Sequence, residues 1–248
     1  VDPRDPRFFS FENGDFLYPV ALNVRSPSDD LQPPDRDYAV PDTAEGTYAM
    51  EEYLRRMAAV RMNMARVWMA PWFGGIEWNK DQPGYHGLGQ YNLQNAWRLD
   101  YVLDRAEERG IVVELVVQSH GPFTRRYDSQ WNENPYNRTQ GGPLREPHEL
   151  FMGRNEEAIR HYQSRLRYVA ARYGANPVVF GWTMWIEVDS IMPSHYGTYQ
   201  KDWHTKNIPF FRQFDVGRHP VSTEFQTPTG NPQVWSLPQI DYVQVAAY

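Results

Sequence analysis

Glu187 ends an apolar run, Trp182-Thr-Met-Trp-Ile-Glu-Val-Asp189, with tryptophans two and five residues before it. A carboxyl held against aromatic walls is desolvated, which favours its neutral form near neutral pH. A neutral carboxylic acid in a cleft can act as a general acid toward a leaving oxygen. The plainer reading is a strand-end carboxylate paired with a neighbouring Lys or Arg. Arg66 and Glu114 both fall inside apolar stretches, Asn63-Met-Ala-Arg-Val-Trp-Met69 and Ile111-Val-Val-Glu-Leu-Val-Val117. A buried carboxylate needs a partner, and Arg66 is the candidate for Glu114. Alternation along the second stretch puts Glu114, Val116, Gln118 and His120 on one face, with His120 at its open end. Glu224, closing Pro220-Val-Ser-Thr-Glu224, offers a second carboxyl. It reads either as a partner to Glu187 or, more plainly, as a polar contact at a rim.

Aromatic residues supply the other signal. The chain carries 9 Trp, 16 Tyr and 12 Phe, more tryptophan than packing alone usually demands. Such a surplus suits a surface that binds flat apolar faces, as sugars and bases have. Trp72, Trp78, Tyr85, Trp131, Tyr136 and Trp203 lie in or near long connections. They either stack on such a face or build small cores for loops that have no disulfides. Trp72 and Trp131 are the leading candidates for stacking, because polar and small residues surround them. Of Trp182 and Trp185, at most one points toward the site. The histidines show no His-x-His or His-Glu-x-x-His spacing, so no metal is implied, and nothing in the pattern calls for a cofactor.

These groups need a scaffold. An Asn13-Gly14 turn between apolar runs predicts a hairpin over Phe8 to Tyr18. Strands are expected at Pro19–Asn23, Asn63–Met69, Ile111–Val117, Val178–Trp185, Pro220–Glu224 and Asp241–Ala247. Helices are expected over about Thr47–Val60, Leu93–Arg109, Asn155–Tyr173 and Tyr199–Phe214, with a short turn of helix near Pro232–Leu237. The β-branched run Ile111–Val117 is of the kind buried on both faces in a parallel sheet. The long connection from Gln118 to Gly153 reads as functional on length alone. Strand–helix alternation without a composition break predicts one α/β unit over residues 1–248, with 1–18 forming a linker and hairpin. Six strand units match a (β/α)8 TIM-type barrel that is two units short of closure. A doubly wound sheet is disfavoured, since Asn23-Val-Arg-Ser-Pro-Ser28 lacks the Gly-rich phosphate turn that opens one. In a barrel the site gathers at the C-terminal strand ends, which selects Asn23, Arg66, Trp68, His120, Glu187, Glu224 and Tyr248.

Composition bounds the rest. The 248 residues are 41% hydrophobic and 23% charged with a net charge of −6, which is globular and offers no basic footprint for nucleic acid or an anionic membrane. No apolar run is long enough for a membrane helix. Zero cysteines exclude a thiol nucleophile and thiolate metal sites.

With these residues in order, the chain resembles glycoside hydrolase family 5 and the wider cellulase-like barrel superfamily. Tyr18-Pro-Val-Ala-Leu-Asn23 is similar to the first strand, and Met62-Asn-Met-Ala-Arg-Val-Trp68 to the second-strand motif with its substrate-proximal Arg. Ala106-Glu-Glu-Arg-Gly-Ile-Val112, with Ser119-His120 downstream, resembles the third-strand stretch. Arg172-Tyr-Gly-Ala-Asn-Pro177 with Trp182–Asp189 resembles the passage that delivers the acid/base Glu, and Ile240–Tyr248 the sixth strand. The opening residues resemble catalytic domains that follow a β-sandwich module in bacterial multidomain members. An exported or periplasmic bacterial protein is therefore expected.

The resemblance implies a retaining β-glycoside hydrolase acting on β-linked glucan- or mannan-type oligo- or polysaccharides, a carbohydrate being its partner. Glu187 would be the acid/base. Asn23, Arg66, Trp68, Trp72, His120, Trp131, Glu224 and Tyr248 would line or tune the substrate site. Three positions depart from the family. Ile186 stands where an Asn precedes the acid/base, and Ala246 where a His precedes the Tyr by two. The nucleophilic Glu belongs to a seventh strand, expected beyond Tyr248. The alternative is a non-catalytic carbohydrate-binding barrel.

Overall fold

The computed structural model of the chain describes residues 1–26, 43–192 and 197–246. A short antiparallel hairpin, β1 (Phe9–Ser10) with β2 (Phe16–Leu17), opens the chain and turns through Gly14 at φ 88°. A parallel sheet follows in strict chain order: β3 (Ala21–Val24), β4 (Met64–Trp68), β5 (Val112–Val116), β6 (Val179–Thr183) and β7 (Val221–Ser222). After Thr223 the same strand path continues as β8 (Glu224–Phe225), which pairs in parallel with β9 (Gln244–Val245). The array thus has six strand positions with no reversal of order. That is the winding of a barrel rather than of a doubly wound sheet.

Local sequence explains the helices between them. In α1 (Thr43–Ala59), Met50, Leu54 and Met57 recur at helical spacing and are buried. In α2 (Leu93–Glu107), the Asn92 side chain caps the first turn by accepting from Asn95 N at 3.0 Å. The four-residue α3 (Glu149–Met152) lies in the long connection after β5. In α4 (Glu156–Tyr173), Asn155 caps Ala158 N at 3.0 Å, and Tyr162, Leu166, Val169 and Tyr173 make the buried stripe. α5 (Gly197–Arg212) buries Trp203, Ile208 and Phe211, and α6 (Pro232–Trp235) is a single turn capped by Asn231. Among the described residues no helix is long and apolar enough to cross a membrane.

The expected elements appear in order and type and differ at their ends, whereas α3 and the 3₁₀ turns of the long connection were not expected. The first helix begins at Thr43 rather than Thr47. Of the expected sixth strand, Gln244–Val245 pairs with β8 and Asp241–Val243 does not, while Ala247 lies outside the described residues.

The connection from Gln118 to Gly153 folds around aromatic rings. Phe123 meets Trp131 at 6.0 Å and Tyr136 at 5.5 Å between ring centres, and its edge meets Trp185 at 5.5 Å. Trp185 in turn stacks on Tyr162 of α4, the planes 4° apart. These rings are continuous with the core behind the sheet, which lets a long loop hold fixed positions at the strand ends.

Candidate active site

Inside the sheet the side chains are polar, and they form one network. Arg66, on β4, reaches Glu114 of the neighbouring β5 through Nε at 3.3 Å and donates from Nη1 to Glu224 of β8. Glu114 also accepts from Thr183 Oγ1 at 2.7 Å, Gln244 Nε2 at 2.7 Å and the Tyr242 hydroxyl. The Arg66–Glu114 pairing expected from the two apolar stretches is present, and Glu224 joins it. One cation therefore serves two buried carboxylates. Burial pushes the Glu224 carboxyl above its ordinary pKa, and the charges of Glu187 and Glu114 add to that push while Arg66 opposes it.

Above this network lies a cleft of about 760 Å³ at the C-terminal strand ends. Asn23, Trp68, Trp72, His120 and Glu187 all line it. Trp68 donates from Nε1 to Asn23 Oδ1 at 2.7 Å, which fixes its indole along the wall. Trp72 is held by its Nε1 on the Arg25 carbonyl at 2.8 Å, with its ring centre 6.4 Å from that of Trp68. Two tilted indoles thus line the cleft, with the Arg25 guanidinium 5.9 Å over the Trp72 ring.

Glu187 does not sit on a regular strand, as the sequence led us to expect. It follows β6 by four residues and adopts left-handed backbone, φ 49° and ψ 48°, at the start of a 3₁₀ turn over Val188–Ser190. A non-glycine residue pays on the order of 1–2 kcal/mol for that conformation. The surroundings impose it. Ile186 N donates to Gln118 O at 2.9 Å, and Asp189 accepts from Gln226 N at 2.8 Å and Thr227 N at 3.1 Å. Thr124 Oγ1 donates to Ser190 O at 3.0 Å. The turn is thereby tied on both sides, and its carboxylate faces His120, with Oε2 3.5 Å from Nδ1. Burial holds the His120 imidazole below its ordinary pKa, against the raising charges of Glu187 and Asp128.

Several expected site residues lie elsewhere. Trp131 is fully buried in the aromatic core of the long connection and presents no face to the cleft. Trp78, Tyr85, Tyr136 and Trp203 are likewise loop or helix core. Trp182 packs on Phe211, and Trp185 on Tyr162 and Trp203, so neither forms an aromatic wall beside Glu187. Gln118 does not share the face of Glu114. The strand ends at Val116, and the Gln118 amide oxygen accepts instead from Arg165 on the helical side. Glu224 sits beneath the cleft rather than at its rim. Tyr248 lies outside the described residues.

The sequence reading also missed groups. Arg126, Tyr127 and Asp128 line the cleft from a strap between Gly121 and Gln130. Their only sequence signal was the length of the connection that contains them. Trp72→Ala is expected to weaken binding of a ligand that stacks in the cleft about tenfold, the value of one lost aromatic face, as checked by titration calorimetry. A change under twofold would remove Trp72 from the binding surface.

No protein-family model matches the chain, and no curated protein matches it in sequence. Solved structures do. An endo-1,4-β-mannanase from Rhizomucor miehei superposes with a TM-score of 0.64 at 14% identity, over 97% of this chain and 70% of that one. An exo-β-1,4-mannosidase from an Opitutaceae bacterium gives 0.63 at 16% identity, over 97% of this chain and 40% of that one. A glycoside hydrolase family 5 mannosidase from Rhizomucor miehei gives 0.60 at 16% identity, over 85% and 54%. The chain thus spans about half the length of the two mannosidases. At such identities the likeness shows the fold alone, that of a (β/α)8 TIM-type barrel.

Proposed function

We propose that the protein is a β-glycoside hydrolase of the family 5 kind, acting on β-linked oligo- or polysaccharides of the mannan or glucan type. The observation that carries this reading is the placement of Glu187. It is a buried carboxyl in a strained, doubly tied turn at the C-terminal end of a barrel strand, beside His120 in a cleft that two indoles also line. The fold shared with mannanases and mannosidases supports it.

In this reading the glycosidic C–O bond breaks with its electron pair left on the departing oxygen, and that oxygen takes its proton from Glu187. Trp68 and Trp72 stack the sugar rings, and Asn23 and His120 orient the reacting one. A retaining mechanism needs a second carboxyl about 5–5.5 Å from the first. We assign it to a seventh strand, as the family resemblance implies, because Glu224 is already committed to Arg66. Arg66 and Glu224 together would tune that nucleophile from below.

The test is hydrolysis of β-1,4-linked manno- and gluco-oligosaccharides by the whole polypeptide as its gene encodes it, with the first-formed anomer read by proton NMR. Release of the β-anomer supports the reading. An α-anomer product would replace retention by inversion, and absence of hydrolysis on every β-linked substrate would sink it.

A second reading, a non-catalytic sugar-binding barrel, is favoured by one observation. Ile186 is buried at 1% exposure and brings no polar group to the cleft where the family has an Asn. It predicts sugar binding without turnover.

A further inference from the structure

Four non-glycine residues among the described ones adopt left-handed backbone, and two of them, Glu187 and Asp128, face the same imidazole. Glu187 Oε2 lies 3.5 Å from His120 Nδ1, and Asp128 Oδ2 lies 3.7 Å from His120 Nε2. Strained backbone of this kind persists only where the surroundings impose it, and it concentrates where geometry is functional. The strap carrying Asp128 is closed at its base by Gln130 N donating to Gly121 O at 3.0 Å. It packs directly on the turn after His120, since a side chain on Gly121 would meet the Asp128 carbonyl at 2.7 Å. Thr124 links the two strained segments. Its hydroxyl donates to Ser190 O on the Glu187 turn and accepts from Arg126 N at 3.1 Å on the strap. The imidazole is thus flanked by two carboxylates whose backbones are braced against each other, with both ring nitrogens beyond hydrogen-bond contact.

We infer that Asp128 is a positioning residue of the reaction proposed above, acting through His120 to hold the proton that Glu187 delivers. The inference rests on that reading and adds a residue to it. Among the described residues, the charged groups facing His120 are Glu187 from the turn after β6, Asp128 from the strap and Arg25 from the end of β3, with Arg126 lining the same cleft. Burial and Arg25 drive the proton off the imidazole, and the two carboxylates hold it there. The charge on Asp128 raises the pH at which the imidazole beside Glu187 loses its proton.

The sign of the effect follows. A general acid fails as pH rises through the loss of its proton. Removing the charge of Asp128 lets the imidazole proton leave earlier, so the alkaline limb of kcat/KM that follows His120 moves to lower pH. Asp128 is 56% exposed, so solvent screens it and the expected shift is roughly half to one pH unit. Asn tolerates left-handed backbone nearly as well as Asp, which makes Asp128→Asn a change of charge with little change of shape.

The experiment follows two readouts in the whole polypeptide: the pH profile of kcat/KM on a β-1,4-linked oligosaccharide, and the titration of the His120 ring by NMR. In Asp128→Asn both should move to lower pH by the same amount, and Asp128→Glu should restore the limb. A residue that merely propped the strap would scale activity equally at every pH and leave the limb in place. An unmoved imidazole in Asp128→Asn, with an active wild type, overturns this inference and leaves the glycosidase reading standing. A wild type without hydrolysis overturns the glycosidase reading, and the role of Asp128 in that reaction falls with it.

Discussion

Glu187→Gln is expected to lower turnover by on the order of 10²–10⁴-fold, the contribution a positioned general acid makes to bond breaking. Glutamine keeps the size and the hydrogen-bonding reach of the side chain but cannot give up a proton. Its backbone demand is unchanged, because the left-handed turn is imposed by contacts from Gln118, Asp189 and Thr124 rather than by the carboxylate. Sugar affinity should therefore stay within a few-fold of wild type, and the loss should fall on kcat. Leaving-group chemistry gives an internal control. A substrate whose departing oxygen is already a stable anion, such as an acidic aryl glycoside, needs no proton, so its cleavage should suffer much less than that of an oligosaccharide. Equal losses on both substrates would mean that Glu187 does something other than donate a proton. Full retention of turnover would remove it from the chemistry altogether. Binding that persists alongside a wild type with no turnover would favour the sugar-binding barrel.

Arg66→Met should be the most destabilising single change in the barrel interior. The arginine is the cation shared by Glu114 and Glu224, with exposures of 13, 3 and 6% for the three side chains. Removing one partner of a buried ion pair costs about 3–5 kcal/mol, because the charge left behind has neither water nor a counter-ion. Methionine fills most of the volume, so a cavity adds little. The effect should depend on pH in a definite direction. Glu224 already has its carboxyl pushed up by burial, and losing Arg66 removes the group that opposes that push. A carboxyl whose pKa is raised on folding stabilises the fold at low pH relative to high, and that advantage disappears as pH rises through its folded value. The deficit of Arg66→Met against wild type should therefore be largest near neutral pH and shrink on acidification. Denaturant unfolding at several pH values measures it directly. A deficit independent of pH would mean that packing, and not charge, is what Arg66 contributes.

Much of the scaffold was legible residue by residue. Helical spacing in Met50, Leu54 and Met57 and the β-branched run before His120 are local signals, and each element appears near where they place it. Strand order followed too, because six strand units alternating with helices, and no Gly-rich turn after the first, leave a barrel as the economical winding. The pairing of Arg66 with Glu114 was legible for a related reason. Two charged residues in neighbouring buried strands have few other ways to be satisfied.

What escaped the sequence begins where strand periodicity ends. Alternation predicts a side chain's face only while the backbone stays extended. Beyond Val116 it does not, so Gln118 turns to Arg165 on the helical side while His120 reaches the cleft. The same loss of regularity hid the left-handed turn at Glu187, the burial of Trp131 in a loop core, and the approach of Asp128 to His120. The sequence alone determined the strand–helix order and which charges had to share the interior, because those depend on local spacing and on the cost of burying an unpaired ion. Only the tertiary structure decided which tryptophans face the cleft, that one arginine serves two carboxylates, and that two strained turns meet across one imidazole. Those are contacts between segments far apart in the chain, and no short-range pattern encodes the distance between them.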